Sequence, residues 1–266
     1  MLDRPSLEPA LKWAGSKRWL AHRLIPYYDR NRRLVDPFAG AMTVPLYLKP
    51  DKCLASDVNP HLMNFHRWLQ HGLEWDDNCG IEFVYDKKIY YDNRSKFNAL
   101  CASREYWTKE GALLFYYLNR TGFNGLCRFN RDGFFNVPFG RYKSIDYRKD
   151  FNEYKAAMAG WELYCGDFET LPLDPTDLIY ADPPYDVEFT QFAPRDFVWE
   201  DQIRLANWLA KHPGPVITSN SFTSRISNLY VELGFSVYIG SAPRFISCTG
   251  DRTPAMEILA MKPERV

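Results

Sequence analysis

Asp182-Pro183-Pro184-Tyr185 follows the apolar run Leu178-Ile179-Tyr180, which puts a carboxylate, two rigid peptide units and an aromatic ring at the carboxyl end of a predicted strand. These groups suit one particular chemical difficulty. An amine conjugated to an aromatic ring, such as the exocyclic amine of adenine, is a poor nucleophile because its lone pair is delocalised into the ring. A carboxylate and a nearby backbone carbonyl can accept both of its N–H hydrogens, pulling the nitrogen toward tetrahedral geometry and freeing the lone pair. Consecutive prolines fix φ and supply a carbonyl with no adjacent donor. Tyr185 can stack on the face of an extruded base, and attack on a sulfonium methyl then needs alignment more than a strong base. Four such residues alone also read as a simple proline turn.

Three further strand ends carry matching groups. Asp36-Pro37-Phe38-Ala39-Gly40 follows Leu34-Val35, and Gly40 lets backbone approach a ligand closely. Asp57 closes the next apolar run, 17 residues after Gly40. An acid at roughly that interval after a glycine turn commonly binds the ribose hydroxyls of a nucleoside cofactor. Asp167 ends the run Leu163-Tyr164-Cys165-Gly166, and with Phe168 it can hold an adenine ring.

The elements that must position these residues are short apolar runs bounded by Pro, Gly and Asp. They recur at 34–35, 54–55, 178–180, 216–218, 235–239 and 256–261, with helical patterns between several of them, for example Trp199–Lys211. Alternating strands and helices predict a mostly parallel sheet, with ligands bound beyond the carboxyl ends of its strands. About a hundred residues between the second run and the Leu178 run break this rhythm, which is too long for a strand–helix connection and reads as an inserted module. It holds the helical stretch Gly111–Asn119 and then a Gly/Asn/Phe-rich segment, Thr121–Tyr142.

The chain of 266 residues suits one large core, or a core plus such a module. Neither a signal peptide nor a membrane span is expected, and six cysteines without a Cys-x-x-Cys pair point to a reducing cytosol and away from zinc or disulfides. His61, His66 and His71 are wrongly spaced for metal ligands and are expected at the surface or in caps. Net charge is zero, but residues 1–33 hold eight Lys/Arg against three Asp/Glu, and residues 119–150 seven against three. Residues 162–201 hold eleven acids against Arg195 alone, so a polarised surface is expected. Cysteine-dependent methylation at cytosine C5 is disfavoured, because no cysteine follows a proline.

The order Lys12-Trp13-Ala14-Gly15-Ser16-Lys17, Asp36-Pro37-Phe38-Ala39-Gly40, Asp57, an insert, then Asp182-Pro183-Pro184-Tyr185 resembles the DNA adenine methylase (Dam) family, the alpha-ordered N6-adenine methyltransferases. Within the insert, Asn119-Arg120-Thr121-Gly122-Phe123-Asn124-Gly125-Leu126-Cys127-Arg128-Phe129-Asn130 and Phe135-Asn136-Val137-Pro138-Phe139-Gly140-Arg141-Tyr142 resemble that family's DNA-reading hairpin. Arg244-Phe245-Ile246-Ser247 and Glu257-Ile258-Leu259-Ala260 also match, so the resemblance runs from about residue 11 to 261.

This resemblance implies an α/β fold: a Rossmann-like, mostly parallel methyltransferase core at 1–66 and 151–266, with an inserted, mainly helical target-recognition domain at 67–150 that carries a β-hairpin. It implies S-adenosylmethionine as cofactor, held by Trp13, Lys17, Asp36, Phe38, Ala39, Gly40, Asp57, Asp167, Phe168 and Asp182, with no metal. Asp182, Pro183, Pro184 and Tyr185 would receive the target base. Phe123 matches an aromatic that enters the duplex as the adenine flips out. Asn124, Leu126, Arg128 and Pro138 match base-contacting positions, Lys12 an outer-guanine contact and Arg141 a phosphate contact. The implied partner is double-stranded DNA at GATC or a relative, for a monomeric bacterial or phage-borne protein of the cytoplasm. Met42 departs from the family, which usually has a second glycine there. The rival readings are an amino-methyltransferase for RNA or protein glutamine, which often has Asn in place of Asp182 and lacks the hairpin block, and an inactive DNA-binding homologue.

Overall fold

The computed structural model describes residues 7–15, 17–186, 197–242 and 254–264. Ser16, Arg195 and the block Arg244 to Ser247 lie outside them.

Seven strands form one sheet in the order β3-β2-β1-β4-β5-β7-β6. They are β1 (Leu34–Asp36), β2 (Cys53–Asp57), β3 (Trp161–Cys165), β4 (Leu178–Ala181), β5 (Val216–Ser221), β6 (Ser236–Ala242) and β7 (Ala255–Lys262). The first five pair in parallel, whereas β7 runs antiparallel to both β5 and β6. The fold is therefore α/β and Rossmann-like, with a mostly parallel sheet, as the sequence predicts.

Residue alternation explains how the sheet is covered on both faces. Leu34, Cys53, Ala55, Leu178 and Tyr180 point into one buried cluster, while Val35, Leu54, Ile179 and Ala181 point into the other. The second cluster is completed by α7 (Trp199–Lys211) and α8 (Ser224–Glu232), which supply Leu205, Leu209, Ile226 and Tyr230. The first is completed by α1 (Arg18–Leu24), α2 (Thr43–Leu48) and α3 (Pro60–His71), and extends into α4 (Lys87–Ser103), α5 (Lys109–Thr121) and α6 (Asn152–Ala157). Much of the chain's aromatic content lies there: Phe65, Tyr90, Phe97, Phe115, Tyr116 and Tyr117 are fully buried. The local signals are clear. Asn59, Asp86, Thr108 and Thr223 cap α3, α4, α5 and α8 through their side-chain oxygens.

Two expectations are corrected. His61 and His66 are not surface residues. Both are buried on the inner face of α3 beside Leu62, Phe65 and Leu69, the spacing of an amphipathic helix, and His71 alone is exposed. The segment 121–140 does reverse direction, but through the isolated antiparallel bridges Gly122–Phe139 and Phe129–Phe135 rather than continuous strands. Glycines and Pro138 within it prevent a regular ladder.

Strand order reverses between β1 and β4, which lie side by side but lead to neighbours on opposite flanks. Asp36 and Asp182 stand at or just past the ends of these two strands, the place where such sheets open a crevice. Among the described residues no helix is long and apolar enough to cross a membrane.

The start of α5 tests the packing between helices. A Cβ on Gly111 would sit 2.4 Å from the Tyr106 carbonyl oxygen. Helix propensity favours alanine there by about 1 kcal/mol, but backbone that close cannot yield freely. Gly111→Ala is expected to lower stability by about 1–3 kcal/mol, read as an earlier urea midpoint with unchanged slope. A later midpoint would show that the 106–111 turn relaxes at little cost.

Candidate active site

A cleft of about 1250 Å³ opens at the carboxyl ends of β1, β2, β3 and β4. It is lined by every residue that sequence assigned to chemistry or cofactor: Trp13, Lys17, Asp36, Phe38, Ala39, Gly40, Asp57, Asp167, Phe168, Asp182, Pro183, Pro184 and Tyr185.

Asp182 is gripped on both oxygens. Lys17 Nζ lies 3.1 Å from Oδ2, and Ser219 donates its hydroxyl to Oδ1 at 2.7 Å. Burial raises the carboxyl above its ordinary pKa, and Lys17, Ser219 and Tyr185 oppose that rise. The same Lys17 ammonium donates to the Gly15 carbonyl and sits 4.5 Å over the Tyr185 ring. Tyr185 in turn donates its hydroxyl to Glu257 at 2.8 Å, and burial among acids keeps it protonated.

A buried amide pair fixes the rest of the catalytic turn. Gln202 donates to the Pro184 carbonyl at 2.8 Å and accepts from Asn220 at 2.9 Å, while Asn220 Oδ1 accepts from the Asp186 backbone. Asp186 is held by Arg225 and Thr223. Ser219, Asn220 and Gln202 were not read from sequence, and Glu257 was noted only within a matching block, with no role assigned. They lie 18 to 72 residues from the groups they hold; the adjacency of β4, β5 and β7 brings Ser219, Asn220 and Glu257 there, and the packing of α7 brings Gln202. The polar triplet Ser219-Asn220-Ser221 ending an otherwise apolar strand was the available signal.

The loop after β1 is shaped by two left-handed residues, Gly40 at φ 47° and Met42 at φ 58°. A Cβ on Gly40 would come within 2.9 Å of Trp13 Nε1, so that position needs glycine. Met42 adopts a backbone that glycine accepts more easily and buries its side chain completely in the core. The loop therefore turns without the family's second glycine. The Gly40 N–H donates to Asp57 Oδ2 at 3.2 Å, and the Phe38 N–H to Asp36 Oδ1 at 3.2 Å. Burial raises both carboxyls, Asp36 strongly, with neighbouring backbone N–H groups opposing the rise.

At the far end, Arg204 takes both oxygens of Asp167, at 2.8 and 3.0 Å, and lies 4.4 Å over the Phe168 ring. This hydrogen-bonded pair holds the Asp167 carboxyl below its usual range. Phe38, Phe168 and Phe197 pack together beside it.

The acidic stretch is largely paired rather than displayed. Arg33 binds Asp177 and Glu162; Arg204 binds Asp167, Glu169 and Asp201; Arg225 binds Asp186. The polarisation expected from local charge counts is correspondingly reduced. The arginines at 33, 204 and 225 achieve this, together with Lys17 on Asp182.

The remaining predicted residues form a separate surface. Phe123, Asn124, Arg128, Pro138 and Arg141 are exposed on the 121–142 reversal, with Leu126 half-buried. Arg128 donates to Asn136 Oδ1 at 2.7 Å. Asn124 is left-handed at φ 53°, and the Phe123 N–H is tied to the Pro138 carbonyl. Asn119 joins this surface to the amino-terminal segment by exchanging hydrogen bonds with the Lys12 backbone while also donating to the Gly125 carbonyl. Lys12 Nζ rests 3.8 Å over the Tyr142 ring, and burial with Arg120 nearby lowers its pKa to about 8. Among the described residues no group of His, Cys, Asp and Glu is placed to hold a metal ion.

The family model of the D12 class N6 adenine-specific DNA methyltransferases matches residues 13–244. The chain belongs to that family. The retron Ec67 DNA adenine methylase of Escherichia coli is 34% identical over 265 residues, covering 96% of this chain and 91% of that one. The DNA adenine methylase of Vibrio cholerae is 34% identical over 268 residues, covering 94% of each, and that of Escherichia coli K12 is 31% identical at the same coverage. The protein is thus an adenine-specific DNA methyltransferase.

The Lys17–Asp182 pair sets an expected pH response. Lys17 favours the ionised carboxylate, so Lys17→Met should raise the Asp182 pKa further, and activity that needs the carboxylate should fail at a higher pH. The acidic limb of kcat/KM against pH, which reports the free enzyme, is expected to move upward. An unmoved limb would show that Asp182 does not govern it.

Proposed function

We propose that the enzyme transfers a methyl group from S-adenosylmethionine to N6 of an adenine flipped out of double-stranded DNA, at GATC or a closely related site. The observation that carries this reading is the Asp182 carboxylate, oriented through both oxygens at the mouth of the switch-point cleft.

The cleft suits the cofactor. Asp36 and Asp57 face it as buried carboxylates satisfied mainly by backbone N–H groups, which favours hydroxyl, amine and sulfonium partners. Trp13 packs against Gly40 in the space a side chain there would fill. Trp13, Lys17, Asp36, Phe38, Ala39 and Gly40 would hold the methionine end, Asp57 the ribose, and Asp167 with Phe168 the adenine. When bound, the cofactor supplies an electrophilic methyl on a sulfonium sulfur. Asp182 accepts one N–H of the target amine. The Pro184 carbonyl is already engaged by Gln202, so we assign the second N–H to the Pro183 carbonyl. Tyr185, fixed by Glu257, stacks against the base.

An amine inside a duplex is out of reach, and extruding the base costs a few kcal/mol. Phe123, 38% exposed beside the Gly122–Phe139 bridge at the base of the reversal, fills the gap left behind. Arg128 reads a guanine through O6 and N7, worth about 1–3 kcal/mol of discrimination. Asn124, Leu126, Pro138 and Lys12 contact other bases, and Arg141 a phosphate. In this reading residues 67–150 serve recognition, residues 1–66 and 151–266 serve chemistry, and the protein acts as a monomer in the cytoplasm of a bacterium or phage host.

Asp182→Ala is expected to abolish methylation of duplex DNA while labelled cofactor still binds; wild-type turnover in that variant would refute the mechanism. Arg128→Ala is expected to relax preference at a single guanine across a library of randomised sites. An unchanged preference would remove Arg128 from base reading. Parallel assays on RNA and protein substrates should give no transfer.

A further inference from the structure

His66 sits on α3, outside every motif assigned to chemistry, cofactor or DNA, and is 2% exposed. Its Nε2 lies 2.7 Å from the Gly40 carbonyl, which can only accept, so Nε2 carries the hydrogen and donates it. Burial lowers the ring's pKa to about 4, which keeps the imidazole neutral near pH 7. Its other nitrogen, Nδ1, is buried with no partner among the described residues. An unpaired buried acceptor is unfavourable, and an apolar side chain of similar size would fill the space without it. The Nε2 bond is what a histidine adds here.

That bond falls on the residue that shapes the cofactor loop. The Gly40 peptide is held from two sides, its N–H by Asp57 and its carbonyl by His66. Two residues later Met42 takes its left-handed conformation, which is strained for a residue with a side chain. We infer that His66 is a positioning residue for the cofactor loop, pinning Gly40 so that the loop keeps its cofactor-binding shape with methionine, rather than glycine, at position 42. The inference rests on the proposal that this cleft takes S-adenosylmethionine.

The test is calorimetric binding of S-adenosylmethionine to the full chain, with steady-state methylation of duplex DNA alongside. Relative to wild type, His66→Leu is expected to weaken cofactor binding about tenfold, the scale of one buried hydrogen bond. KM for cofactor should rise in step, while KM for DNA and kcat at saturating cofactor stay within about twofold. His66→Gln, whose amide can donate to the same carbonyl, should recover most of the loss. In a Met42→Gly background the His66→Leu loss should shrink, because the loop then turns without strain; this coupling is read even if one single variant folds poorly. Equal affinity in wild type and His66→Leu overturns the inference, as do equal losses in the Leu and Gln variants or a loss unchanged by Met42→Gly. Absence of cofactor binding by the wild type is a different failure, and would overturn the reading of the cleft instead.

Discussion

In the proposed reaction the Asp182 carboxylate, largely enclosed at the switch point of the sheet, must stay available to a substrate amine without being neutralised by its own surroundings. Burial pushes the Asp182 carboxyl above its ordinary pKa. The protein opposes this with an ammonium on one oxygen and a serine hydroxyl on the other. Much else follows from that requirement. Lys17 must come from the amino-terminal segment, Ser219 from β5, and the turn that carries Asp182 must be fixed through Gln202 and Asn220 before either contact can have a constant length. Parallel pairing of β1, β4 and β5 places these groups at one end of the sheet.

How much of this could be read beforehand depended on the distance between a residue and its purpose. Asp36, Asp57, Asp167 and Asp182 each end a run of apolar residues, and that local grammar located all four in one cleft. The reversal at 121–142 was legible through its resemblance to a family pattern, although its backbone forms bridges rather than strands. Ser219, Gln202, Glu257 and Arg204 were not legible, because each acts on a partner distant in sequence and meets it only through tertiary packing. His66 was misread for another reason. Its spacing from His61 and His71 was tested against metal ligation, whereas its spacing from Leu62, Phe65 and Leu69 already marked the buried face of a helix.

The fold also separates two tasks in space. The residues that line the cleft and those that project from the reversal share no member, yet Lys12 stands on one side and Trp13 on the other. Asn119 ties that junction to the end of α5, so the amino-terminal segment is held in register with both surfaces. Variation at the reversal can therefore accumulate while the cleft is left unchanged.

The arginines that absorb the acidic stretch have a consequence for how the enzyme meets its substrate. With Arg33, Arg204 and Arg225 engaged internally and a net charge of zero, the molecule projects little long-range field of either sign. A polyanion is then neither drawn in from afar nor turned away, and attraction is confined to the few cations on the reversal, within a Debye length of about 8–10 Å. The salt dependence of binding to arbitrary duplex is then set by how many phosphates those few cations neutralise, because each one releases counterions.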